Sequence, residues 1–454
     1  MATTFDFIAE KNAREAQLAF IRKFVEAKED IVSFVDDQLG WNRAGEFEDY
    51  FKGSFNLSLS VRNSETDECV LIRFPFPGKV YGPWREEKIK NEVMVMNYLS
   101  EYTSIPVPRV HHWGPVEDSP QQLGPFMIEE FMQGENLGDV LKKPTEDETD
   151  PAILDPEISE QKLDIVYEQI AGFMLEISRL EFSHIGAISK DATSDQWAVT
   201  RPPLTYDMNE VVAFAGFPAD RFNATAPFSS ASDYFTERAQ RLQTNLETQR
   251  NIAFEDEETT WNRYVARQCF AKLVSTFTAD DSGPFRLFCD DLRPSNMLVD
   301  PETMRITAVL DFEFTNVMPA QPAYDLPWWL ILRQPAILVS DGKQEFLDLF
   351  DPRKEQFILA MERIEAKSPL PAGEPCLSSR MRESWDSGRF WFNLASRSSF
   401  DVDEIYWKVL HKEGMGELML DAATLAEKDR FLRRKKDQFD AYWEEKKNDQ
   451  RFDE

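Results

Sequence analysis

A chain of 454 residues, 42% hydrophobic and 29% charged, is too long for one ordinary compact core and has the balance of a soluble protein with two lobes or domains. Its 81 acidic residues against 51 basic ones give a net charge of −30, which excludes a surface built for DNA, RNA or anionic membranes. Any polyphosphate site must then be assembled locally from arginine, lysine, backbone N–H groups and a divalent metal.

No apolar run reaches the roughly 18 residues of a membrane span. The opening MATTFDFIAEKNARE gains acids at once and lacks a basic-then-apolar signal. Cys69, Cys269, Cys289 and Cys376 are scattered and form no C-x-x-C pair, so a cytosolic protein without disulfides or a zinc site is expected.

Residues 1–45 read as helical, with Leu18, Phe20, Ile21, Phe24 and Val25 set between charges. The pattern then changes to alternation: FNLSLSV, the polar turn NSETDE and CVLIRF predict a β-hairpin over 53–75. A charged helix follows in EEKIKNEVMVMNYLSEY, with Ile89, Val93, Met96, Tyr98 and Leu99 apolar. The proline-rich IPVPRVHHWG reads as a connector, and its adjacent His111 and His112 are poorly placed to share a metal. FMIEEFM is a short strand ending near Gly134. Strand pair, helix and strand in this order describe a small mixed lobe.

PTEDETDPAILDPE is polar and proline-broken, and is expected to be an inserted surface loop. Residues 163–180 space Leu163, Val166, Tyr167, Ile170, Phe173, Met174, Ile177 and Leu180 by threes and fours, the stripe of a buried helix. Residues 189–250 give no clear pattern. In 285–330, FRLFC is a strand, DDLRPSN a polar loop in which Pro294 blocks a regular helix, and MLVD and TAVLDFEF are β runs joined by the turn DPETM. Asp291 and Asn296 thus lie on a loop, and Asp311 ends a later strand. Asn296 and Asp311 are hard oxygen donors suited to Mg²⁺. Asp291 is a carboxylate free to accept a hydroxyl proton. The apolar run from Leu326 to Val339 is broken by Pro327, Arg333 and Pro335, and the chain ends in a charged segment from Leu425 expected to be an exposed helix.

These residues carry a resemblance. DDLRPSNMLV is similar to the catalytic loop H-x-D-x-x-x-x-N of the protein-kinase-like superfamily, and LDFEF resembles the metal-binding strand end of the aminoglycoside phosphotransferase family. FCDDLRPSN together with HIGAI at His184–Ile188 resembles the fungal branch of that family, over roughly residues 45–335. The resemblance implies an α+β, bilobal protein-kinase-like fold. It would comprise an N-terminal helical extension (1–45), a β-rich nucleotide-binding N-lobe (46–134), a mostly helical catalytic C-lobe (135–424) and a charged C-terminal helix (425–454).

It also implies ATP and Mg²⁺ as cofactors and a small-molecule hydroxyl as phosphate acceptor. Asp291 would be the catalytic base, Asn296 and Asp311 the metal ligands, and Arg293 a phosphate contact. Gly53, Ser54 and Asn56 would form the phosphate-covering turn. Arg73 would stand in for the usual strand lysine, with Glu92 as its helix partner, and an arginine can hold phosphate oxygens in a bidentate manner. Backbone groups around Glu130 and Met132 would meet the adenine. Asp325 in PAYDLPWW would be buried and hold the catalytic loop. Cys289 replaces the usual loop histidine, a supporting position. The rival reading is a catalytically silent kinase fold that binds nucleotide or a partner as a scaffold, favoured by the loss of that histidine and lysine. A protein kinase is disfavoured, because no Phe-Gly or Ala-Pro-Glu follows Asp311.

Overall fold

The computed structural model of the chain describes residues 5–145, 151–222, 224–252, 256–336, 342–368 and 375–452. Residues 1–4 of the expected N-terminal helix, 146–150 of the expected surface loop and 337–341 at the end of the Leu326 run lie outside the described residues.

Two helices, α1 (Phe7–Glu26) and α2 (Lys28–Leu39), come first. Asp6 caps α1 by accepting from the N–H groups of Ile8 and Ala9, and Gly40, at φ 67°, ends α2 in the left-handed region. Their apolar faces do not stand apart from the lobe that follows. Phe20, Phe24, Ile31 and Val35 share one core with Leu59, Val61, Ile72, Phe74 and Ile128.

The second set belongs to an antiparallel five-stranded sheet: β1 (Gly45–Lys52), β2 (Asn56–Asn63), β3 (Cys69–Pro75), β4 (Val110–Gly114) and β5 (Phe126–Glu130), in the order β1–β2–β3–β5–β4. The β2–β3 pair is the hairpin that the alternation predicts. VHHWG, expected as connector, instead forms edge strand β4. A bulge between Val110 and His112 breaks its two-residue period, which is why the pattern is hard to see in the sequence. Helix α3 (Arg85–Tyr102) buries Ile89, Val93, Met96 and Leu99 in the larger core of the other lobe. It also buries Lys88, Asn91 and Glu92.

The chain crosses at β6 (Glu135–Asn136) and α4 (Leu137–Leu141) into a mostly helical lobe. Helix α5 (Glu160–Ser178) buries Leu163, Val166, Tyr167 and Ile170, the predicted stripe. After β7 (Glu181–Phe182) and the ladder β8 (Ala187–Lys190) with β9 (Trp197–Arg201) come α6 (Tyr206–Phe214), α7 (Ala231–Thr248) and α8 (Glu257–Phe277). Two buried ion pairs lock these helices, Arg238–Asp207 at 2.9 Å and Arg267–Asp403 at 2.9 Å.

Next come β10 (Phe285–Phe288), β11 (Met297–Asp300), β12 (Arg305–Val309) and β13 (Asn316–Met318). β11 pairs with β12 and β6, and β10 with β13 and β7. Helix α9 (Lys343–Lys367) packs along α5, and α10 (Leu377–Ser387) and α11 (Arg389–Arg397) follow.

The final helix, Lys428–Asn448, is exposed along most of its length, as expected, but it is also seated on the lobe. It buries Phe431, Lys435 and Tyr442. Lys435 donates to the Gln249 carbonyl at 2.7 Å, and the Phe7 N–H donates to the Tyr442 hydroxyl at 2.9 Å. The start of α1 is pinned as well: the Asp6 N–H donates to the Phe214 carbonyl at 2.7 Å, and Phe5 stacks on Phe214. Among the described residues no helix is long and apolar enough to cross a membrane.

Candidate active site

The loop between β10 and β11 closes with a 3₁₀ turn, Pro294–Asn296, braced from across the lobe crossing by Asn136, whose amide donates to the Ser295 carbonyl at 2.7 Å. The Asn296 amide nitrogen donates to the Asp291 carboxylate at 2.7 Å and to the Asp291 carbonyl at 3.0 Å. Its amide oxygen is therefore the group left to ligate a metal. The Arg293 Nε lies 2.6 Å from the other Asp291 oxygen, so Arg293, expected as a phosphate contact, is paired locally with Asp291. Burial raises the Asp291 carboxyl to about 6, with Arg293 opposing and Asp311 adding to the rise. That value suits a general base acting near neutrality.

The loop is held from behind in a way the sequence reading did not foresee. Asp325 is buried, but its carboxylate accepts from Ser384 on α10 and Asn393 on α11, not from the loop. The loop carbonyls of Asp290 and Leu292 accept instead from the indoles of Trp328 (3.1 Å) and Trp329 (2.6 Å), and Arg397 pairs with the Asp290 carboxylate at 2.6 Å. The Cys289 thiol lies 3.9 Å from the Asp311 carbonyl, a supporting position, and burial holds it well above the usual thiol range.

The β11–β12 hairpin returns the chain to the loop. The Leu310 N–H donates to the Asn296 carbonyl at 2.7 Å, which sets Asp311 beside Asn296. Asp311 itself sits at φ 76°, a left-handed conformation that a non-glycine residue holds only where its surroundings impose it. Burial and the neighbouring Glu92 raise its carboxyl.

From the sheet side, Arg73 on β3 reaches Glu92 of α3 at 3.1 Å, Glu129 of β5 at 3.2 Å and Asp311 at 3.9 Å. The expected Arg73–Glu92 pair is therefore present and borders Asp311. Asn56, at the end of the β1–β2 turn, donates to Glu313 at 3.2 Å, while Gly53 and Ser54 are exposed on that turn. Phe55 packs edge-on against Tyr206 (5.6 Å) and Phe314 (6.1 Å). The Glu130 N–H is used inside the sheet, donating to the Arg109 carbonyl at 2.8 Å, and the Phe131 N–H donates to Cys69 at 3.2 Å. That leaves the carbonyls of these two residues, and Met132 and the residues after it, as the backbone groups that could face a base.

Three participants were not foreseen: Lys88, Glu129 and Glu313. Lys88 and Glu92 stand four apart on α3, a spacing that ordinarily marks an exposed helix pair. Only the packing of α3 between the lobes turns that pair inward. Lys88 lies 2.5 Å from Glu313. Burial pulls the Lys88 ammonium down, but Glu313 and Glu92 outweigh it and leave it above its ordinary value. Glu129 and Glu313 are each raised to about 7, chiefly by burial.

Four carboxylates (Glu92, Glu129, Asp311 and Glu313) thus surround two cations, and one oxygen of Glu129 is buried without a hydrogen-bond partner. Four carboxyl groups facing two cations, with hard oxygen donors on Asp311, Glu313 and Asn296, fit a divalent cation of the Mg²⁺ type. No ready-made cluster of three or more His, Cys, Asp or Glu ligands occurs among the described residues.

Residues 58–363 match the family model described as "Phosphotransferase enzyme family". Two curated yeast proteins, each named "Altered inheritance of mitochondria protein 9, mitochondrial", are similar in sequence. The one from Debaryomyces hansenii is 25% identical over 308 residues, 59% of this chain and 46% of that protein. The one from Clavispora lusitaniae is 22% identical over 316 residues, 60% and 48% respectively. The chain spans about half the length of the curated relatives it matches. Among solved structures, the GDP complex of wild-type aminoglycoside 2'-phosphotransferase-IIIa aligns at a TM-score of 0.43 and 14% identity, covering 90% of this chain and 98% of that one.

Proposed function

The chain belongs to the phosphotransferase enzyme family, and on that premise we propose that it transfers the terminal phosphoryl group of ATP, with Mg²⁺, to a hydroxyl of a small molecule. The observation that supports this most is the convergence of Asp291, Asn296 and Asp311 through two backbone and side-chain ties, with the Arg73–Glu92 pair on their border. Asp291 orients the acceptor hydroxyl and takes its proton as the oxygen–phosphorus bond forms and ADP leaves. Asn296, Asp311 and Glu313 would hold the metal, which supplies charge neutralisation at the phosphates. Arg73 offers guanidinium N–H groups to phosphate oxygens. Phosphoryl transfer needs positioning and charge compensation more than covalent help.

The acceptor side would be framed by Tyr206, a residue 39% exposed that lies within electrostatic reach of Asp291 and Glu313. Its hydroxyl donates to Glu210 at 3.1 Å. Burial and Asp207 raise the Glu210 carboxyl to about 8. Near neutrality that carboxyl keeps its proton, so the pair could both donate to and accept from a hydroxylated acceptor.

The test is thermal stabilisation by ATP with and without Mg²⁺, then mass spectrometry of a hydroxyl-metabolite panel incubated with the protein and ATP. Absence of any nucleotide-dependent stabilisation sinks this reading. Arg73→Ala should weaken ATP about ten- to a hundredfold, the loss of a charge-assisted bond, while leaving adenosine affinity nearly unchanged. An equal loss for both ligands in calorimetry would show damage to the lobe. Arg73→Lys should retain part of the affinity. A second reading, nucleotide binding without transfer, is favoured by Cys289 and Arg73 at the positions of the usual histidine and lysine; wild-type protein that binds ATP·Mg²⁺ but phosphorylates nothing would support it.

A further inference from the structure

Lys88 has no role in the chemistry set out above, yet it occupies the centre of the charged cluster. Its side chain is fully buried, with Nζ 2.5 Å from Glu313, 3.5 Å from Glu92 and 3.4 Å from the Asn56 amide oxygen. Glu313 also accepts from the Asn56 amide nitrogen at 3.2 Å. One ammonium therefore joins three elements: helix α3, the segment after Asp311, and the end of the β1–β2 turn. The Gly53 N–H donates to the Asn56 carbonyl at 3.0 Å, so the whole turn is fastened through this knot.

A buried ion pair is a poor device for stability alone, because dehydrating both ions offsets most of the attraction. Here, moreover, the carboxylates outnumber the cations, so the cluster remains open to further positive charge. The partner that Lys88 holds, Glu313, is also one of the oxygen donors suited to a divalent cation. Lysine is a compact charge on a flexible four-carbon stem, able to exchange partners across a short distance.

Building on the phosphotransferase reading, we propose that Lys88 is a further nucleotide-binding residue: it is the resident counter-ion of Glu313 in the nucleotide-free protein, and it passes to phosphate oxygens when a divalent cation takes over that carboxylate. Glu92 stays within reach of the ammonium in both arrangements and guides the transfer. The turn carrying Asn56 is released from Glu313 by the same exchange, so that closure over the phosphates and loading of the metal are one event.

The test uses the full chain and Lys88→Met, which keeps the stem and removes the charge. Mn²⁺ titrated into nucleotide-free protein should bind the variant at least about tenfold more tightly than wild type, because the competing cation is gone. Affinity for ADP with Mg²⁺ should fall about ten- to a hundredfold, with Lys88→Arg recovering part of it. Thermal unfolding checks that the variant is folded. Should it not fold, Glu313→Gln decides: with Lys88 released, ADP in EDTA should bind about tenfold more tightly than to wild type. A Mn²⁺ affinity unchanged in Lys88→Met, or metal-free ADP affinity no higher in Glu313→Gln, overturns the proposal. Failure of the wild type to bind nucleotide would overturn the underlying reading instead, and the Mn²⁺ comparison, which needs no nucleotide, separates the two.

Discussion

Asp291→Asn should leave ATP·Mg²⁺ affinity nearly unchanged and lower phosphoryl transfer by about 10²–10⁴-fold, the usual contribution of a positioned base. The side-chain shape is kept, and an asparagine oxygen at 291 can still accept from Asn296. What is lost is basicity toward the acceptor hydroxyl. The same group sets a pH dependence. Burial and Asp311 raise Asp291 to about 6, so it carries a proton and is idle below that value. Turnover should therefore fall as pH drops, with an acid limb at about 6 or below, since a bound dication offsets the Asp311 charge. Asp291→Asn should abolish that limb. Cys289→His, by contrast, should leave turnover within about an order of magnitude, because the thiol lies against the Asp311 carbonyl and only supports the loop. Calorimetry for ATP and mass spectrometry for product, on the same preparations, give both quantities. An Asp291→Asn protein that still phosphorylates at the wild-type rate would remove Asp291 from the chemistry.

Asp311→Ala should abolish the Mg²⁺-dependent part of stabilisation by ATP. Its carboxylate stands at the junction of the loop and the sheet-side cluster, held there at φ 76° and 3.9 Å from Arg73. Asn296→Ala should weaken the same stabilisation less, because a neutral amide binds a dication less strongly and its loss chiefly frees Asp291. Thermal shifts with ATP, with and without Mg²⁺, measure both. Equal Mg²⁺-dependent shifts in wild type and Asp311→Ala would exclude Asp311 as a ligand.

The hairpin, α3, α5 and the strands flanking Asp291 and Asp311 were legible because each has a regular period or clear turn residues. The region 189–250 was not, and α7 shows why. Its buried face carries Arg238, Arg241 and Asn245 among Tyr234, Phe235, Leu242 and Leu246, so polar residues interrupt the apolar stripe. Arg238 finds its partners far along the chain, at Asp207 and the Ser396 carbonyl, while Arg241 pairs with Glu237 one turn back on α7 itself. Strand β4 was hidden by its bulge. In the candidate site, the convergence of Asp291, Asn296 and Asp311 was readable from their loop and hairpin spacing. Lys88 and Glu313 were not, because an i,i+4 Lys–Glu pair and an acidic residue after a strand look like surface chemistry until α3 is placed between the lobes. Asp325 was correctly expected to be buried, but its partners on α10 and α11 lie in a C-terminal region whose role the sequence did not indicate.

Helix α1 contributes Phe20 and Phe24 to the sheet core, while its first residues are fastened to Phe214 and Tyr442 of the other lobe. The two lobes are therefore joined beyond the β5–β6 crossing, both by the start of α1 and by α3, whose Asn91 amide donates to the Thr315 carbonyl at 2.6 Å. Prising them apart would mean peeling the N-terminus from its seat and drawing α3 out of the larger core together.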